Sequence, residues 1–172
     1  MKAIASLRSN RRTDVPVTPR HRPPTRAPQQ RHLDVFVRES ELSVQRLPVE
    51  ADRLAPDGSE IRELSNGRRG GLCHCRLGPG QVSSPRKHRA VEELWFCSKG
   101  QGELWLGFSG GGQPIALAPG VSVHIPPRTP FQFRNTGTDA LEVLITTMPR
   151  WPGPEEAQVA DGPWTPNHAG PA

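Results

Sequence analysis

Arg86, His88 and Glu93 are the residues of this chain whose types and spacing suit chemistry. Arg86 and His88 stand two apart, so on a strand their side chains leave the same face. Glu93 heads the strand-like run that follows, in which Glu93, Trp95 and Cys97 share one face and Leu94, Phe96 and Ser98 share the other. The first face is mixed and the second apolar, the pattern expected of a strand that looks into a pocket on one side and into a core on the other. Where the polar faces of the two strands meet, an imidazole, a carboxylate and a guanidinium converge, which is the raw material of a metal site or of acid/base catalysis.

Other candidate ligands are less well placed. Cys97 lies four residues from Glu93, about 13 Å along a strand, beyond one coordination sphere. Cys73 and Cys75 share a face, but two thiols so spaced on a strand lie about 7 Å apart and His74 faces the other way, so they read as small buried hydrophobes. His124 in VSVHIP reads as outward or at a sheet contact, and Gln132 reaches a pocket only if its strand slips by one residue, which would turn Phe131 and Phe133 out.

The elements that must position these groups are short. Runs such as DVFVRE, ELSVQRL, SEIRELS, GGLCHCRL, EELWFCS, GELWLG, QPIALA, VSVHIP, FQFRN and LEVLITT recur between turn residues. With 20 prolines and 17 glycines in 172 residues and no helical period, the chain reads as all-β, a sandwich or small barrel in one domain. The Gly110-Gly111-Gly112 run reads as a hairpin loop rather than a phosphate cradle, since no helix follows it.

Residues 1–32 are arginine, proline and glutamine with little apolar content and read as a disordered basic arm. Basic residues exceed acidic ones by five, 22 against 17, and much of that excess sits in the arm, so a basic domain does not follow. Without aromatic residues to stack on bases, the arm reads as solvated, and the balance is against nucleic acid. The tail 149–172 reads as packed coil, with Trp151 and Trp164 folding back over the outside of the barrel. Three cysteines make no disulfide framework, no apolar run is long enough to span a bilayer, and the first residues lack a signal-peptide core; the reading is a soluble cytoplasmic protein.

Residues of roughly 60–148 resemble the cupin superfamily. Its first motif, Gly-x5-His-x-His-x3,4-Glu-x6-Gly, falls on Gly80, Arg86, His88, Glu93 and Gly100; its second, Gly-x5-Pro-x-Gly-x2-His-x3-Asn, falls on Gly120, Pro126, Phe131 and Asn135. The resemblance implies a single double-stranded β-helix, or jelly-roll, barrel over 33–148 and a homodimer paired through its outer face. It also implies a metal held by three histidines and a glutamate, and here the chain departs from the pattern. Arg86 and Phe131 replace two of the histidines, and Arg128 replaces the inner glycine of the second motif. His88 and Glu93 alone hold a divalent ion loosely, and an arginine cannot coordinate one. The expectation is therefore no cofactor, with a loosely bound divalent metal on His88 and Glu93 as the alternative.

Such a pocket, with Arg86 neutralising Glu93 and offering its other donors, and with Trp95, Phe131 and Phe133 as walls, fits a small anionic or polyhydroxylated metabolite. The plainer alternative is a structural Arg86–Glu93 ion pair plugging a relict site. The resemblance spans isomerases, epimerases and lyases as well as binding proteins. One reading is an isomerase-, epimerase- or lyase-like enzyme in which His88 and Glu93 move a proton and Arg86 holds an anionic group. A second is a binding or accessory module without turnover, and a third, ranked last, is a metal-dependent oxygenase with an atypical site.

Overall fold

Strand alternation, glycine-closed turns and the absence of a helical period produce a nearly all-β chain. The computed structural model describes residues 42–108 and 112–168. Its strands are β1 (Arg53–Leu54), β2 (Glu60–Asn66), β3 (Gly71–Leu77), β4 (Arg86–His88), β5 (Glu92–Lys99), β6 (Gly102–Leu106), β7 (Ile115–Leu117), β8 (Ser122–Ile125), β9 (Phe131–Asn135), β10 (Leu141–Met148) and β11 (Ala157–Val159). They form two antiparallel sheets, one of six strands in the order β1-β2-β3-β10-β5-β8 and one of five in the order β11-β4-β9-β6-β7. No helix among the described residues is long and apolar enough to cross a membrane.

The anticipated arm 1–32, the strand at 34–39 and two of the three glycines of the 110–112 run lie outside the described residues. The strand read into ELSVQRL is not formed, and residues 42–48 are irregular. Nor is the tail all coil: β11 pairs with β4, with Ala157 opposite His88 and Val159 opposite Arg86. Gln132 holds this tail down. It is fully buried, its amide nitrogen donates to the carbonyls of Ser83 and Trp164, and its oxygen accepts from the Trp164 N–H at 2.9 Å.

The two inner sheet faces enclose one core, in which Leu77, Leu104, Phe131 and Phe133 are buried almost completely. The two faces of β5 fall differently from the expectation. Glu93, Trp95 and Cys97 point inward, and the apolar pair Leu94 and Phe96 points outward, 44 % and 46 % exposed. A closed barrel has one interior, so pocket and core share the same face of the strand and are separated along its length rather than across it.

The motif glycines serve the turns. Gly80, Gly100 and Gly120 all adopt positive φ, 70°, 82° and 94°, and a Cβ on Gly100 would run into the Ala140 carbonyl. Asn135 is structural: its amide donates to the carbonyls of Leu77 and Asp139, and its oxygen accepts the Gly137 N–H. Arg128, which replaces the motif's inner glycine, has φ 64°, and its N–H donates to the His88 carbonyl at 2.7 Å. A side chain in this left-handed conformation costs roughly 1–2 kcal/mol, part of which a glycine would return to its own unfolded-state entropy. Arg128→Gly should therefore raise stability by about 1 kcal/mol, read as a higher urea midpoint with an unchanged slope.

Candidate functional site

At one end of the barrel a cavity of about 60 Å³ opens between the sheets. About 10–15 Å³ on this measure admits one water, so several waters or a small molecule fit. The cavity brings Arg86, His88, Glu93, Trp95 and Phe131 together, as the sequence reading anticipated. Arg86 and Phe131 are register partners on β4 and β9, which is why the two positions that depart from the motif stand side by side. Phe133 is not part of the wall; it lies in the core behind Trp95, ring centroids 5.1 Å apart.

Glu93 and His88 form the centre. The Trp95 indole N–H donates to Glu93 Oε2 at 2.8 Å, because residues two apart on β5 share a face. Trp95 is thus an orienting group as well as a wall. Glu93 Oε1 lies 3.2 Å from His88 Nε2, off the line of a well-formed hydrogen bond, and neither ring nitrogen of the buried imidazole has a hydrogen-bonded partner among the described residues. Phe131 tilts over the ring on one side and Trp151 meets it edge-on, each with centroids 5.2 Å away. Burial opposes the charge on His88, but the neighbouring Glu93, with smaller contributions from Asp57 and Glu156, outweighs it and lifts the pKa above 6.5.

Arg86 does not neutralise Glu93. Its Nε and Nη2 both donate to the Pro56 carbonyl, at 3.0 and 2.5 Å, so the anticipated ion pair is replaced by a clamp on the β1–β2 turn. Cys73 borders the cavity and burial, reinforced by Glu93 and Glu63, pushes its thiol up to about 12, which leaves it unreactive. Cys75 and Cys97 lie in the core. His124 points outward and sits 3.0 Å from Glu92. Gln132 faces the tail instead of the cavity.

Four cavity residues escaped the sequence reading. Asp57 enters the cavity from the turn between β1 and β2, 9 % exposed. Burial raises its pKa, hydrogen bonds from Ser59 partly counter that, the charge of Glu93 raises it further, and His88 pulls the other way. A Pro-Asp-Gly turn reads as punctuation, and only the fold shows that it tips inward. Arg53 and Glu63 form an ion pair at 2.7 Å on the rim. Trp151 reaches the cavity from the tail read as an outer covering, whereas Trp164 does lie outside, stacked under Arg134 at 4.4 Å. The loop after His88 is fixed to the same tail, since Glu156 Oε1 accepts the N–H groups of Ala90 and Val91 at 2.5 and 2.7 Å.

The donor set does not fit the metal that the resemblance implies. Among the described residues no three His, Cys, Asp or Glu side chains come together as one ion requires, and Arg86 and Phe131 occupy two of the four ligand positions.

Comparison with known proteins agrees with this architecture. The cupin-domain family model matches residues 73–147. Over 112 residues the chain is 28 % identical to the uncharacterized protein MJ1618 of Methanocaldococcus jannaschii, covering 60 % of this chain and 86 % of that one. The structure of Streptomyces PAC13 with uridine has a TM-score of 0.54 at 13 % identity, covering 69 % of this chain and 92 % of PAC13. KdgF from Halomonas sp. has a TM-score of 0.51 at 20 % identity, covering 59 % and 89 %. At these identities the structural likeness is one of fold.

Two measurements check the geometry. Because the folded His88 pKa lies above 6.5, its contribution to stability is full below about 6.5 and fades as pH rises through the folded value. Imidazole proton resonances should show His88 titrating above 6.5 in the wild type, and falling to or below that value in Glu93→Gln, where burial remains and the carboxylate does not. Changing Arg86→His and Phe131→His together should raise nickel affinity in calorimetry at least tenfold over the wild type, since each single change leaves the ligand set one short.

Proposed function

Because this chain belongs to the cupin superfamily, with its cupin domain over residues 73–147, we propose that it binds a small molecule in the barrel cavity and moves a proton on it, as an isomerase, epimerase or lyase does. The observation that carries this reading is His88. A buried imidazole with no hydrogen-bonded partner among the described residues, 3.2 Å from a carboxylate in a cavity, is costly for stability alone, and it is a suitable general base once a ligand supplies the missing partner. Glu93, fixed by Trp95, stands beside the imidazole and stabilises its protonated form. Arg86 uses one edge of its guanidinium on Pro56 and in this reading presents the rest to an anionic group on the ligand. Trp95, Phe131 and Trp151 supply apolar walls. Homodimerisation belongs to the same reading: the outer face of the six-stranded sheet, where Leu94 and Phe96 are exposed, is the surface it would use.

The clamp on Pro56 also favours a second reading, a binding module without turnover, in which Arg86 is structural and the cavity holds its ligand unchanged.

Incubation in deuterium oxide with small carbonyl acids and phosphates distinguishes them. The proton-transfer reading expects deuterium to enter at the carbon next to the carbonyl, and His88→Gln to reduce that rate on the order of 10²–10⁴-fold. Ligands that raise the melting temperature without any exchange would support the binding module instead.

A further inference from the structure

Proton transfer next to a carbonyl needs two groups: one to take the proton from carbon and one to supply a proton to oxygen. His88 with Glu93 provides the first. Resting on the proton-transfer reading, we propose that Asp57 is the second, a neutral carboxylic acid that donates to the carbonyl oxygen of a small hydroxy-carbonyl substrate carrying an anionic group.

Asp57 lines the cavity from the turn between β1 and β2. Its Oδ1 accepts the Ser59 N–H at 2.9 Å and the Ser59 hydroxyl at 2.7 Å. Both donors are neutral, and Oδ2 has no hydrogen-bond partner among the described residues. The charged and titratable groups that border the cavity are Arg53 and Glu63, paired with each other, Arg86, donating to Pro56, Cys73 on β3, and the His88–Glu93 pair. Of these only His88 acts as a cation on Asp57, and it stands closest to Glu93. Two carboxyl groups share one apolar cavity with one imidazole, and two carboxylates so confined do not both ionise readily. Asp57 has neutral donors on Oδ1 alone, and burial together with the charge of Glu93 leaves Oδ2 as the atom that keeps a proton.

The turn is also braced beyond what a surface loop needs. Arg86 holds the Pro56 carbonyl, the Ser84 N–H donates to the Asp57 carbonyl at 2.8 Å, and Gly58 N–H donates to Ala55 at 2.9 Å. His168 packs on Gly58, leaving no room for a Cβ there, and meets the Ser84 hydroxyl at 2.8 Å. Contacts from β4, the segment before it and the tail all converge on a turn whose product is one buried acid with a free oxygen.

The step balances without an added reagent. His88 takes the proton from the carbon adjacent to the carbonyl, and the C–H electron pair becomes the C=C bond. The carbonyl π pair takes the proton from Asp57, giving a neutral enediol, an imidazolium beside Glu93 and an Asp57 carboxylate. Return of a proton to either carbon gives the isomer, the epimer or the starting compound, and Asp57 recovers its own proton from the enediol oxygen.

The test uses the full chain with dihydroxyacetone phosphate and glyceraldehyde 3-phosphate as probes. Infrared difference spectra of wild type against Asp57→Asn at neutral pH should show the carbonyl band of a neutral carboxylic acid in the wild type; carbon-13 NMR of aspartate-labelled wild type reads the same state without a variant. An ionised Asp57 in the wild type overturns the proposal whatever the turnover. In deuterium oxide, Asp57→Asn should slow exchange on the order of 10²–10⁴-fold with the melting temperature unchanged. Exchange at the wild-type rate in that variant also overturns the proposal while leaving His88 as the base. Absence of exchange in the wild type for every probe overturns the proton-transfer reading, and the donation step with it, even if Asp57 is neutral.

Discussion

The site depends on one buried interaction, the Trp95 indole N–H donating to Glu93 with His88 beside it. A carboxylate at 5 % exposure inside an apolar barrel is stable only with donors around it. β5 supplies one donor by the two-residue repeat of a strand, and β4, on the other sheet, supplies the imidazole. The two partners thus come from different sheets and meet at the cavity.

Much of this was legible in the sequence. The alternation around Glu93 and Trp95, the glycines at 80, 100 and 120, and the spacing of the two motifs locate the barrel and place Arg86, His88, Glu93, Trp95 and Phe131 around one cavity. The partner of Arg86 was not legible. Between Glu93, close in sequence, and the Pro56 carbonyl, thirty residues upstream, charge alone favours Glu93. Geometry decides otherwise, since a backbone oxygen turned inward at a tight turn leaves no trace in residue types. Asp57 was hidden for the same reason. Phe133 was misassigned because alternation shows which face is inside and cannot say whether the inside at that point is wall or core.

The outer face of β5 carries a related lesson. Leu94 and Phe96 form the more apolar half of the strand and yet face out, while Glu93 and Trp95 face in. A binary reading by hydrophobicity inverts the strand, and what rescues the true orientation is pairing: Trp95 and Phe131 meet edge to face with centroids 5.8 Å apart, and Glu93 and His88 need each other. At functional sites local pattern and tertiary demand part company, and the conflict marks the place where the chain gives up some foldability for chemistry.

The tail has a consequence in time. Residues 157–159 cover the open edge of β4, and Trp151 borders the cavity, yet both are synthesised after every other strand of the barrel. A nascent chain that has already paired β4 with β9 therefore carries an unprotected sheet edge, and an imidazole with Phe131 but not yet Trp151 beside it, until some twenty further residues emerge. During that interval the barrel is exposed to edge-to-edge association with other nascent copies, and any ligand entering the cavity meets a wider entrance than the finished protein offers.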